Sequence, residues 1–360
     1  MRAAFVLPLI LGAAQAQEAG SGFEVHGMLT VASSYSHELT EDPRDGLPIA
    51  SGFRAVLYPT WKIDDHWSVS GAVAVRSRPY FYEEFSSQGY GVKTDILQLH
   101  LTYSRFWKNR SVVVRVGQLS SAFGSFLLRY DESANPLTQL PLSYGYYGAG
   151  VTTLGLMGAQ VDATFGKLDM RAQFVNSSPA NRRSIFDHDQ YGNWAGGIGY
   201  TVLQGFRVGA SAYRGPYLDR HFPFYFPGEA EPRELPATAI GLDVQWGHGP
   251  WNAYGELQKF QFTYHAIPTF NENTGYVELR RTLNPRWYIA TRIGYMRSNA
   301  TPTVNAVETA IGFRPNRYQL IKAGYQMEYG PAVRGTLDNV FAVQFVTLLR
   351  PLYLAADARR

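Results

Sequence analysis

The sequence predicts an all-β fold: a transmembrane antiparallel barrel of about 16 strands. Three observations carry this. The chain opens with an export signal. Period-2 alternation of apolar and polar residues runs from Phe23 almost to the end. Short turns alternate with longer connections, as they must when hairpins close into a barrel.

The start sets the compartment. Arg2 is followed by an apolar stretch from Ala3 to Ala13, then by the small-x-small site Ala14-Gln15-Ala16. Residues 1–16 therefore read as a cleaved signal peptide, 17–350 as the barrel, and 351–360 as a short C-terminal tail. The first strand sets Phe23, Val25, Leu29 and Val31 against Glu24, His26, Met28 and Thr30. The second sets Phe53, Ala55 and Leu57 against Arg54, Val56 and Tyr58. Val69, Val73 and Val75 then oppose Ser68, Ser70, Arg76 and Arg78. Leu97, Leu99 and Leu101 oppose Gln98, His100 and Thr102; Val112, Val114 and Val116 oppose Arg115. After a long irregular stretch the alternation resumes at Ala159. It turns at Gly166-Lys167, Gln204-Gly205, Gly249-Pro250, Asn284-Pro285 and Pro315-Asn316. In the run from Tyr318 to Glu328 it blurs, because Leu320 shares a face with Lys322. The last strand is expected to stop near Leu349.

Aromatic residues gather beside the short turns, among them Trp61, Trp67, Phe106, Trp246, Trp251 and Trp287, as an interfacial girdle would. Past the N-terminus no apolar run is long enough for a membrane helix. The apolar content of 45% excludes a disordered chain. The mild net charge of +4, without a Lys/Arg run, speaks against nucleic acid as a partner. With no Cys there is neither a disulfide framework nor a thiolate metal site, and His26 with His100 lacks a third ligand. No Gly-x-Ser-x-Gly elbow or HExxH motif occurs. No cofactor, metal or catalytic residue is expected.

The longest connection is the third long one, from Leu119 to about Gly150. An irregular segment of roughly 30 residues is far above ordinary loop length and points to function. The whole-chain layout resembles the Gram-negative outer-membrane porins of the general diffusion type. The passage Arg115-Val116-Gly117-Gln118-Leu119-Ser120-Ser121-Ala122-Phe123-Gly124 also resembles the strand-to-loop passage of the phosphate-selective porin family, with Ala122 where that family has Pro. The resemblance implies a bacterial outer-membrane location, lipid around the barrel, a homotrimer, and a third external loop folded into the lumen as a constriction.

On that reading the polar faces line the lumen. Arg54, Arg76, Arg78 and Arg115 form a basic wall with no inward acid between them. Arg129, Asp131 and Glu132 of the loop face that wall at the waist. The remaining lumen charges are Arg171, Arg207, Asp243, Glu256 and Glu278, then Arg280, Arg292, Glu308, Lys322 and Glu328. Opposed fixed charges across a narrow waist favour polar solutes and tune ion preference. The expected function is passive diffusion of small hydrophilic solutes and ions with weak anion preference. A channel selective for phosphate, other anions or sugar, a barrel hydrolase and a closed receptor barrel are the alternatives.

Overall fold

The computed structural model describes residues 22–36, 49–78, 91–145, 151, 154–176, 191–218, 228, 230–300, 302–330 and 338–355. The signal peptide expected over 1–16 lies outside them. The strands are β1 (Gly22–Ser36), β2 (Ile49–Lys62), β3 (Trp67–Arg78), β4 (Gly91–Trp107), β5 (Arg110–Leu119), β6 (Leu156–Phe165), β7 (Leu168–Asn176) and β8 (Gly192–Leu203). They continue as β9 (Phe206–Pro216), β10 (Pro236–His248), β11 (Trp251–Phe262), β12 (Phe270–Thr282), β13 (Trp287–Ser298), β14 (Val304–Phe313), β15 (Gln319–Tyr329) and β16 (Asp338–Ala355). Each pairs with its neighbours in chain order, and β16 pairs with β1, so the 16 strands form a closed barrel. Closure leaves no strand edge with unmet backbone groups, which is the condition for a sheet in lipid.

Alternation sets the two surfaces. Outward positions carry large exposed apolar side chains such as Leu57, Val116, Leu242, Val277 and Ile293. The inward positions beside them, such as Arg54, Gln173, Glu278 and Lys322, are buried. At the short-turn end Trp61, Trp67, Phe106, Phe165, Trp246 and Trp287 are exposed, where an interfacial belt of aromatics belongs.

Two details differ from the sequence reading. β16 does not stop near Leu349. It runs to Ala355, with Leu352 to Ala355 paired to Val25 to Gly22. A register shift opposite Val25–Gly27 takes up Arg350 and Pro351, and a bulge is where a residue without an N–H fits a sheet. β4 starts at Gly91 and carries an irregularity where Ala72 pairs with Gln98 and Val73 with Ile96. This turns Leu97 inward, where it is buried, and puts Asp95 beside Arg76. The expected wall without inward acids is therefore interrupted. As the sequence placed it, Leu320 shares the inward face of Lys322, and it is buried. The lumen tolerates apolar side chains there because the β5–β6 connection packs on them.

Candidate functional site in the loop-filled lumen

The connection from β5 to β6 turns into the barrel and runs along the inner wall. Its entry bends at Gly124, whose φ of +75° favours glycine; a Cβ there would also overlap the Tyr144 hydroxyl. Gln173 of β7 fixes the entry, donating to the Ser120 carbonyl (2.7 Å) and accepting from the Ala122 N–H (3.1 Å). The Gly124 N–H donates to Ser211 of β9 (3.2 Å), and Arg171 of β7 donates to the Gly124 carbonyl. The Ser125 N–H donates to Glu256 of β11. A single 3-10 turn follows, Phe126–Arg129. The Phe126 ring packs on Tyr144 and Tyr276, at centroid distances of 5.0 and 6.3 Å. Tyr144 belongs to a short α-helix, α1 (Leu142–Gly145).

Beyond that turn the loop is held by charge. Arg129 donates to Glu278 of β12 (2.7 Å) and its guanidinium lies 3.8 Å from the Tyr254 ring centre. Burial works against its charge, but the Glu278 carboxylate more than compensates and holds the guanidinium above its ordinary pKa. The Tyr144 hydroxyl is pushed well up, by burial first and then by the neighbouring Glu256. Glu278 also receives Arg292 of β13 (2.8 Å), which reaches on to Glu308 of β14 (3.4 Å), the Asn135 side chain (3.1 Å) and the Gln139 carbonyl (2.9 Å). Glu308 accepts from the Thr138 N–H (2.7 Å), the Thr138 hydroxyl (2.9 Å) and the Gln139 N–H (2.9 Å).

The loop tip is pinned by Lys322 of β15. Its ammonium donates to the carbonyls of Glu132 (2.8 Å), Asn135 (3.0 Å) and Leu137 (2.9 Å), one acceptor for each N–H. Gln344 of β16 donates to the Thr138 carbonyl (2.8 Å) and Tyr288 of β13 to that of Pro136 (3.0 Å). Leu137, fully buried, enters an apolar cluster with Met28, Val56, Leu97, Leu320 and Val346. On the far side of the tip, Arg54 of β2 donates to Glu132 (2.7 Å) and Tyr58 donates to Asp131.

Of the four arginines expected to form one wall, Arg54 meets the loop acids. Arg76 pairs with Asp95 (3.4 Å), and Arg115 pairs with Asp162 of β6. Arg78 ends β3, and its side chain lies outside the described residues. Arg129 turns toward Glu278 on β12, away from the arginines of β2, β3 and β5. Arg207 of β9 bridges Asp169 (2.6 Å) and Asp243 (2.6 Å). It fits because Gly199 and Gly209 are next to it: a Cβ at either would collide with the guanidinium or the Asp243 carboxylate. Arg280 lies against the Tyr288 ring (5.8 Å), and Glu328 accepts from Gln326 (2.8 Å). Asp95, Tyr58, Gln173 and Asn135 were not picked out from the sequence. Among the described residues no group of three or more metal-ligating side chains occurs.

Water reaches the opposite wall. Arg115 and Asp162 are 26% and 31% exposed, Asp169 is 41% exposed, and Asp131 on the loop is 34% exposed. The inward charges of β5 to β7 thus stay open to water, although the loop entry is bonded to β7 and β9.

Solved structures share this architecture. An anion-selective porin from Comamonas acidovorans superposes with a TM-score of 0.65 at 11% identity, covering 91% of this chain and all of that one. The fold is that of the outer-membrane porins. The outer membrane channel DcaP of Acinetobacter baumannii gives 0.60 at 12% identity over 92% of this chain and 99% of its own. Salmonella typhi OmpF, in complex with daunomycin, gives 0.61 at 10% identity over 92% and 98%. No protein-family model and no curated protein sequence matches the chain. The porin fold is thus shared at identities so low that side chains within the lumen must be interpreted from this chain alone.

Proposed function

We propose that the chain is an outer-membrane channel for passive diffusion of small hydrophilic solutes and ions, exported by its signal peptide, with weak anion preference and no catalysed reaction. The observation that carries this reading is the division of the lumen. Buried ion pairs anchor the inward loop to β12 and to β2, while charged side chains on β5 to β7 stay in contact with water. Charges that pair with one another leave a weak net field, which suits loose selection of polar solutes. Arg171 is the side chain to which we assign the anion preference. It donates to the Gly124 carbonyl and has no carboxylate partner among the described residues. A homotrimer is part of the proposal; a Vibrio cholerae outer membrane protein of the same fold is described in trimer form.

Planar-bilayer conductance of the purified mature protein tests the reading. Steady current that scales with salt, and a reversal potential on the anion side that moves toward zero in Arg171→Gln, are expected. A protein that inserts but passes no current would overturn it, and ester hydrolysis by the purified protein would favour a barrel hydrolase instead.

A further inference from the structure

Two short turns, well apart around the barrel, share one build. Between β2 and β3 the Ile63 N–H donates to the Trp67 carbonyl (3.0 Å); between β12 and β13 the Leu283 N–H donates to that of Trp287 (2.9 Å). A side-chain oxygen of Asp64 accepts the Trp67 N–H, and one of Asn284 accepts the Trp287 N–H (3.0 Å). Each turn then receives its neighbour: the Ser104 N–H reaches the His66 carbonyl (2.8 Å), and the Arg314 N–H reaches that of Arg286 (2.7 Å). The charges, however, are opposite. Asp64-Asp65-His66 stands where the other turn has Asn284-Pro285-Arg286. The same scaffold accepts either sign, so the turn itself does not require the basic one.

Around the second turn basic charge accumulates. Arg286 and Arg317 are exposed in the β12–β13 and β14–β15 turns, Arg314 is half-buried between them, and Arg350 is exposed in the bulge of β16. Arg317 and Arg350 lie over the same Tyr318 ring, 4.7 and 5.9 Å from its centre. Two guanidinium groups at one ring repel each other unless an anion joins them. Among the described residues none of these four arginines has an acidic partner. The short turns hold two acids among the described residues, Asp64 and Asp65, and Lys62 takes up Asp65 (3.4 Å). Other cations near this end are placed differently. Arg105 and Arg281 lie 5.0 Å from the Trp107 and Trp251 rings, and Lys167 donates to the Val202 carbonyl (3.0 Å).

The arc of four arginines faces water. Arg286 and Arg317 immediately precede Trp287 and Tyr318, aromatics of the interfacial belt, and stand on its water side. Arg314 follows β14 on the inward parity of Ala310 and Gly312, at the mouth of the lumen. A lipid phosphate at the outer rim cannot follow the arc over the turns to Arg314; a water-borne chain can. From the β12–β13 turn to β16 the arc covers about 17 Å, the length of about five extended residues. Guanidinium groups spread along such a line match carboxylates repeated along a chain.

We propose that the β12–β13 and β14–β15 turns, with the adjoining bulge of β16, dock an acidic, extended segment of a periplasmic protein, its carboxylates paired with Arg286, Arg314, Arg317 and Arg350. This rests on the outer-membrane reading, which puts the short turns on the periplasmic side.

The test uses the full mature protein in detergent at about 0.15 M salt, where long-range attraction is screened. A fluorescent hexaglutamate peptide is titrated by anisotropy, with hexaglutamine as its neutral match. Saturable binding of hexaglutamate and none of hexaglutamine is expected. The Kd should rise at least tenfold in the triple variant Arg286→Gln, Arg314→Gln, Arg317→Gln. It should rise less than threefold in Lys108→Gln, Arg110→Gln, Lys167→Gln, which removes the same charge from other turns. Equal weakening in both variants, or no binding by wild type, overturns the proposal. So does stronger retention of phosphatidylglycerol than of the peptide, lost in the first triple variant, which would assign the arc to lipid. A photoreactive hexaglutamate on the wild type, which depends on no variant folding, should label residues 283–287 and 314–318; labelling elsewhere overturns the proposal as well. Bilayer recordings of the same sample separate the two readings: normal current without peptide binding sinks the docking face alone, and absent current with binding intact sinks the channel alone.

Discussion

The two walls of the lumen use the same chemistry to opposite ends. On β11 to β15, Glu278, Arg292, Glu308 and Lys322 are buried and spend their hydrogen bonds on the loop. On β5 to β9, Arg115, Asp162, Asp169 and Arg207 pair among themselves and remain wet. Burial decides which role a charge takes. A buried pair loses its hydration, so removing one partner strands the other at a cost of several kcal/mol. A wet pair is screened and contributes little to stability, but it sits where a passing ion feels it. The lumen is thus an anchoring surface on one side and a lining on the other.

That contrast can be broken at three places. The largest effect is expected at Glu278. Glu278→Gln leaves Arg129 and Arg292 without their shared carboxylate and should cost about 3–5 kcal/mol in thermal unfolding of the detergent-solubilised barrel. A loss below about 1 kcal/mol would mean that the anchoring wall is no different from the wet one. Lys322→Met keeps most of the aliphatic length of the side chain but leaves three loop carbonyls without their donor. About 2–3 kcal/mol should be lost, and bilayer recordings should change from steady to fluctuating current as the loop tip comes free. Steady current in that variant would show that the tip needs no pin. Arg115→Glu, on the wet wall, should move stability by less than about 1 kcal/mol yet shift the reversal potential toward cations. An unchanged reversal potential would take Arg115 out of the lining.

The smallest effect concerns Asp64, in the short turn between β2 and β3, outside both walls. Its carboxylate accepts the N–H groups of His66 (2.7 Å) and Trp67 (2.8 Å), and these bonds hold its pKa below the ordinary value. A depressed carboxyl stabilises above its unfolded pKa, and the effect is lost as pH falls through the folded one. Asp64→Ala should therefore melt slightly below wild type near neutral pH, and the two curves should converge in acid. A gap that persists in acid would assign the turn to something other than the carboxylate.

Much of the barrel could be read from alternation, because one face of every strand must meet an apolar surround whatever happens inside. The strand count, the turn order and the third connection as the special one all follow from that. Parity failed where the backbone is irregular. The slip in β4 turned Leu97 and Asp95 against the pattern, and no spacing rule shows a bulge in advance. Alternation also says which face a charge takes, and nothing about what it meets. Arg54, Arg76 and Arg115 share a face, yet they end on Glu132, Asp95 and Asp162. Leu320 beside Lys322 looked like noise; it marks the place where Leu137 of the loop fills the lumen. The partners that fix the loop come from strands far away in sequence, so the loop's length was legible and its seat was not.

That distance has a consequence for how the molecule is made. Apart from Arg54 and Tyr58 of β2, the strand partners that hold residues 125–138 lie 131 to 206 positions further along the chain, from Glu256 to Gln344. When the loop is synthesised, Arg54 and Tyr58 of β2 already exist, but the partners on β11 to β16 do not. Bringing such remote segments together is slow, since the connecting chain must be ordered before any contact rewards it. The first five strands can form hairpins early, but the loop has to wait outside until β11 to β16 are in place. Seating the loop is a late event, and the lumen acquires its final cross-section only as the barrel nears completion.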